Sequence, residues 1–133
     1  MLSSDLSNIP FIQKIAQKGK HIIISTGAST LDEIKLAIDT IENENDDYLN
    51  GQAEIGIMHC VLSYPTDNSD ANLLMIKNLK DLYPNYDIGY SDHTKPDENM
   101  LILTTAYLYG ATILEKHYTA KALAQSENLS EQK

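Results

Sequence analysis

The stretch Glu54-Ile-Gly-Ile-Met-His-Cys60, residues 54–60, decides the fold. It is apolar at nearly every position until it ends in His59 and Cys60. A run of that kind suits a strand of a parallel sheet covered on both faces, since a strand with one wet face would alternate. Upstream, His21–Ser25 (HIIIS) reads the same way. Downstream, Asp87–Ser91 (DIGYS) and Thr112–Lys116 (TILEK) complete a set of four strand candidates.

Helical windows fall around these strands. Asn8 to Lys18 places Phe11, Ile12, Ile15 and Ala16 on one face, with Gly19 where a C′ residue would sit. Thr30-Leu31-Asp32-Glu33 has the form of a capping box, with Thr30 as N-cap and Glu33 at N3. Behind it, Leu31, Ile34, Ala37, Ile38 and Ile41 form a stripe at helical spacing. A third window, Ala71 to Tyr83, is stopped by Pro84, and a fourth runs from about Asp97 to Tyr109 and stops at Gly110. The order is helix, then strand–helix three times, then a strand. That repeat predicts a parallel sheet with right-handed crossovers. Four such strands fit half of a (β/α)8 barrel, which takes about 250 residues, or a small open doubly wound sheet. Periodicity leaves both open.

Composition narrows the class of function. Of the 133 residues, 42% are hydrophobic and 22% charged, as in an ordinary globular domain. The net charge of −9, from 19 acidic and 10 basic side chains, argues against a nucleic-acid partner, which would call for a Lys/Arg surplus. The acidic run Glu42–Asp47 reads as a solvated surface loop. Cys60 is the one cysteine, so no intrachain disulfide can form; a reducing, cytoplasmic compartment is expected. The N-terminus lacks a basic region followed by an apolar run, so no signal peptide is expected. Asn99 to Leu114, the longest uncharged stretch, is interrupted by Gly110 and falls short of the roughly 18 to 20 residues of a span, so no membrane association is expected.

In either architecture, ligands bind at the carboxyl ends of the strands. There the sequence collects Ser25-Thr26-Gly27, then His59-Cys60 leading to Ser63-Tyr64-Pro65-Thr66, then Ser91-Asp92-His93-Thr94, then Lys116-His117-Tyr118-Thr119. His93 and His117 lie just beyond adjacent strands, where two imidazoles could converge on a first-row divalent ion. His59 reads as a core histidine bonded to the backbone, His21 as a surface residue, and Cys60 as a buried structural thiol. Ser-Thr-Gly before a helix could cradle an anion or form a plain turn.

Five motifs in order and spacing carry a specific likeness. Ser-Thr-Gly (25–27), His-Cys-x-x-x-Tyr-Pro-Thr (59–66), Asp-Ala-Asn-Leu (70–73), Gly-Tyr-Ser-Asp-His-Thr (89–94) and Glu-Lys-His-Tyr-Thr (115–119) resemble the sialic acid (N-acetylneuraminate) synthase family, with its legionaminic and pseudaminic acid relatives. Ser3-Ser4-Asp5-Leu6 resembles the end of the preceding strand in that family. The resemblance implies an α/β fold, a partial TIM barrel comprising strands 5–8 over residues 1–119, with a divergent polar tail at 120–133. It implies condensation of phosphoenolpyruvate with an N-acetylhexosamine-type sugar, assisted by a divalent metal, Mn2+ or Mg2+. His93 and His117 match the metal-binding histidines, Ser3 and Ser91 match positions that hold phosphoenolpyruvate, and Asp5 and Tyr64 match positions near the sugar. The resemblance also implies a homodimer.

The chain also departs from the family pattern. The first barrel strands, with an acidic residue and lysines of the site, would lie upstream of Met1. After Thr119 the chain reads Ala-Lys-Ala-Leu-Ala-Gln-Ser-Glu where the family leads to a Gly-x-Asp motif. The arginine-bearing C-terminal domain has no counterpart, and Leu62 stands where a polar residue is common. A fragment of a synthase, inactive alone, is therefore expected. The alternative is a non-catalytic half-barrel that assembles with a separate N-terminal half.

Overall fold

The computed structural model describes residues 6–118. Four strands, β1 (Ile22–Ser25), β2 (Ile55–Cys60), β3 (Asp87–Asp92) and β4 (Ile113–Lys116), alternate with four helices, α1 (Ile9–Ala16), α2 (Leu31–Glu44), α3 (Leu74–Leu82) and α4 (Leu101–Leu108). All strand pairs are parallel, and the strands lie side by side in chain order, β1-β2-β3-β4. A doubly wound sheet reverses its strand order at a switch point. This sheet does not reverse, so it is a sector of a barrel.

The burial pattern agrees. Ile22, Ile24, Ile55, Ile57, Ile88 and Tyr90, alternate residues of the strands, join the helix residues Ile12, Ile34, Ile38, Ile41, Ile76, Leu79, Ile102 and Ala106 in one core. Helices thus pack on one sheet face, and the intervening residues Ser25, Met58, Cys60, Gly89, Ser91 and Glu115 belong to the other. Strand register sets that second face in rows: Ser25, Met58, Gly89 and Ile113 lie side by side, then Cys60, Ser91 and Glu115. Gly89 is required there. A Cβ on it would come within 2.9 Å of both Cβ and the carbonyl oxygen of Ile113.

Local chemistry explains the helix ends. Asn8 caps α1 by accepting from the Phe11 amide at 3.3 Å, and Gly19, just past the helix, takes a left-handed φ of 58°. The capping box of α2 is formed in full: the Glu33 amide donates to Thr30 Oγ1 at 3.3 Å, and the Thr30 amide donates to Glu33 Oε2 at 2.7 Å. Both inward stripes are narrower than their sequence patterns, because Phe11 and Leu31 are exposed.

Three stretches differ from expectation. The acidic run Glu42–Asp47 is no loop: Glu42 and Glu44 end α2, and Asp46–Tyr48 form a 3-10 turn. Partners fix those carboxylates, with the Tyr86 hydroxyl donating to Glu42 Oε1 at 2.6 Å and the Gln17 amide to Glu44 Oε1 at 2.7 Å. Helix α4 begins at Leu101, four residues later than its apolar window. Asp97 draws the amides of Asn99 (2.9 Å) and Leu101 (3.1 Å) into a local turn that competes with helix. Likewise α3 starts after a 3-10 turn at Asn68–Asp70. Among the described residues, no helix is long and apolar enough to cross a membrane.

Candidate functional site at the strand carboxyl ends

Buried polar side chains concentrate where the strands end. Ser25, Thr26, His59, Thr66, Ser91, Asp92, His93 and Thr94 are all nearly inaccessible. Most are committed to structure. Thr26 Oγ1 donates to the Met58 carbonyl at 3.3 Å. His59 lies on the helix face, its Nε2 2.9 Å from the Ala71 carbonyl and its ring beside Tyr90. Burial pushes its pKa down, so it stays neutral, as the core histidine expected. His21 is exposed, with its Nδ1 3.6 Å from Glu54. Cys60 is free and buried, and burial pushes its thiol pKa up, which disfavours the nucleophilic thiolate.

His93 is held in a defined tautomer. Its Nδ1 lies 2.5 Å from the Val61 carbonyl, which can only accept, so in the neutral ring the hydrogen sits on Nδ1 and the Nε2 lone pair faces the site. The segment carrying it is clamped from behind. Asp92 Oδ1 accepts from the Thr94 amide (2.8 Å) and hydroxyl (2.7 Å), and Asp92 Oδ2 accepts from Lys116 Nζ at 2.6 Å. Lys116 also donates to the Thr94 carbonyl at 2.9 Å. From the front, the Thr66 amide donates to the His93 carbonyl at 2.9 Å, tying the Tyr64–Thr66 segment to the extension of β3.

His93 and His117 come together as their spacing suggests, with ring centroids 5.4 Å apart. Two imidazoles sharing one ion at about 2.1 Å per nitrogen place their ring centres roughly 4.5–5.5 Å apart. The pair therefore fits two coordination positions of a divalent ion. Among the described residues no group of three or more His, Cys, Asp or Glu surrounds such a point, so these residues would offer an ion there no more than the two imidazoles from those ligand types.

Tyr64 joins them. Its ring stacks on His93 (centroids 3.9 Å, 29°) and meets His117 edge-on at 5.5 Å, while its hydroxyl lies 2.7 Å from His93 Nε2. Partial burial, with Cys60 and Glu115 adding to it, pushes the Tyr64 pKa up and keeps the hydroxyl a proton donor. Ser91 Oγ donates to Glu115 Oε1 at 2.6 Å and lies 3.1 Å from His93 Nε2. Of the sequence candidates, Tyr64, Ser91, His93 and His117 are thus gathered in one cluster. Ser3 and Asp5 lie outside the described residues.

One further member was not singled out as a site residue from sequence, and another only as part of the Ser-Thr-Gly segment. Glu115, on the strand before His117, is reachable only through the register that sets it beside Ser91. Ser25 Oγ is buried and has no hydrogen-bond partner among the described residues. It stands on the same sheet face, within the Ser-Thr-Gly segment.

Comparison with known proteins agrees with this architecture. The NeuB family model matches residues 1–129. The N,N'-diacetyllegionaminic acid synthase of Legionella pneumophila is 36% identical, covering 96% of this chain and 35% of that protein. The N-acetylneuraminate-9-phosphate synthase of Drosophila melanogaster is 36% identical, covering 88% of this chain and 29% of that protein. Among solved structures, the N-acetylneuraminic acid (sialic acid) synthetase of Leptospira borgpetersenii, in complex with citrate, superposes with a TM-score of 0.79 at 36% identity. That match covers 94% of this chain and 40% of the other. The chain spans about a third of the length of these curated relatives.

Proposed function

This chain belongs to the NeuB family, and on that premise we propose that it supplies the second half of the active site of a nonulosonic (sialic-type) acid synthase. The reaction would join the enol carbon of phosphoenolpyruvate to the aldehyde carbon of an N-acetylated hexosamine, add water at C2 and release phosphate. The observation that carries this reading is the convergence of His93, His117, Tyr64 and Ser91 at the carboxyl ends of adjacent parallel strands.

His93 and His117 would hold the divalent metal, Mn2+ or Mg2+. Bound there, it would supply the Lewis acidity that polarises the sugar aldehyde. The chain's own groups would orient the ligands and bind parts of the substrates. The Val61 carbonyl keeps the His93 hydrogen on Nδ1 and the lone pair inward. Ser25, with its uncommitted buried hydroxyl, offers a donor to a phosphate or carboxylate oxygen. Ser91 offers a second donor, but only after its hydrogen leaves Glu115. Ser3 would add to this anion site, and Asp5 and Tyr64 would face the sugar.

A graft tests the reading. Residues 1–118 of this chain would replace the matching segment of the Legionella pneumophila synthase. The expected outcome is phosphate release that needs both phosphoenolpyruvate and an N-acetylated hexosamine, and that falls to background in His93→Ala and His117→Ala. A folded graft without activity, or one indifferent to both histidines, would sink it.

A further inference from the structure

His93 and His117 stand one residue past the last paired position of β3 and β4, where Asp92 lies opposite Lys116. Backbone pairing between the two strands therefore stops just short of the residues whose separation matters. A side chain continues it. The Lys116 ammonium donates to Asp92 Oδ2 at 2.6 Å and to the Thr94 carbonyl at 2.9 Å, so it grips the residues on either side of His93. Asp92 Oδ1 closes the same loop by accepting from the Thr94 amide and hydroxyl. Lys116 is itself the residue before His117. One ammonium thus ties the backbone that carries one imidazole to the backbone that carries the other.

We propose that Lys116 is a positioning residue: its grip on Asp92 and Thr94 sets the distance at which His93 and His117 can share one divalent ion. The proposal rests on the reading of the two histidines as metal ligands. A lysine beside a site histidine is an obvious candidate to hold an anionic part of a substrate. Here the register turns it away, because Lys116 shares the helix-facing side of the sheet with Asp92 while Ser91 and Glu115 share the other. Asp92 is equally committed, one oxygen to Thr94 and the other to Lys116. The side chain of Asp92 is 2% exposed and that of Lys116 22%, so the contact is largely shielded from water. Metal–ligand distances tolerate a drift of only about 0.2 Å. With the ring centroids 5.4 Å apart, a small slide of the end of β4 would take one imidazole out of reach of a shared ion.

The test is Mn2+ titration of the full chain, reading free Mn2+ by electron paramagnetic resonance. Lys116→Met removes the grip and should weaken binding about tenfold to a hundredfold, as for other groups that orient metal ligands. That variant also strands a buried carboxylate, so it is paired with the double variant Asp92→Asn, Lys116→Met. Asparagine keeps an oxygen for Thr94 and carries no unpaired charge. The double variant should regain stability, yet it lacks the tie between the strands and should bind as weakly as Lys116→Met. Recovery to wild-type affinity would assign the loss to folding and overturn the positioning role. Nitrogen couplings in the pulsed spectrum of bound Mn2+ should count two imidazoles in the wild type and one in the double variant. Two in both overturns it as well. His93→Ala and His117→Ala separate the two readings. If they are indistinguishable from wild type, whether all three bind or none does, the metal reading falls and the positioning role with it. If they are impaired while the double variant is not, the positioning role falls alone.

Discussion

At the scale of single residues, two buried polar groups are consequential without belonging to the proposed chemistry. His59 is neutral because burial depresses its pKa, outweighing its backbone bonds. The unfolded chain then binds a proton that the folded one resists, so stability is full above the ordinary histidine value of about 6.5 and is lost as pH falls below it. Urea midpoints taken between pH 7.5 and 5 should decline, and His59→Gln should flatten that decline. An equal decline in the variant would exclude His59 as its source. The Asp92–Lys116 pair works differently. Asp92 is 2% exposed, and its charge is compensated by Lys116. Lys116→Met should cost about 2 to 4 kcal/mol, somewhat below the fully buried case because Lys116 is partly solvated. The double variant with Asp92→Asn should recover much of that cost in the same denaturation experiment.

At the scale of elements, the strands were the most legible part of the sequence, and the physical reason is plain. Runs such as Ile22–Ser25 and Ile55–Cys60 have no competing local hydrogen bonds. Helix starts were less legible wherever a short polar side chain could satisfy the backbone first, as Asp97 does before α4. In the site, His93 and His117 could be paired from their positions after adjacent strands. The stacking of Tyr64 on His93 could not, because it depends on the path of a loop separated from His93 by 29 residues. Nor could the Ser91–Glu115 bond, which needs the register of β3 against β4. That register has its own test. Gly89→Ala would drive a methyl into Ile113, whose backbone cannot yield cheaply, so a loss of about 1 to 3 kcal/mol is expected. Weakened Mn2+ binding should accompany it, since β4 leads directly to His117. A fully stable Gly89→Ala would mean that the two strands sit further apart than described.

At the scale of the whole molecule, the question between a doubly wound sheet and a barrel sector was settled by strand order, which no local pattern carries. Residue spacing gave the strands; their unreversed order and the one-sided helix layer gave the barrel. Among the described residues β1 and β4 each have a strand neighbour on one side only. Open parallel edges invite further pairing. The isolated 133-residue chain should therefore self-associate in size-exclusion chromatography with light scattering, and should release no phosphate from phosphoenolpyruvate. A well-behaved monomer would count against the first expectation, and sugar-dependent phosphate release would refute the second.

The row arrangement of the sheet has one more consequence, for how this segment can change over generations. Ser91 and His93 are two apart, as are Glu115 and His117, so each pair shares a face while Asp92 and Lys116 share the opposite one. Deleting one residue upstream within β4 would exchange the two sets, presenting the Lys116 ammonium where the Glu115 carboxylate had been and turning His117 to the opposite face. Substitutions can therefore accumulate along these strands far more freely than single-residue insertions or deletions. Changes in length should be confined to the loops, and the spacing of the residues within each strand-end motif should outlast much of the sequence between them.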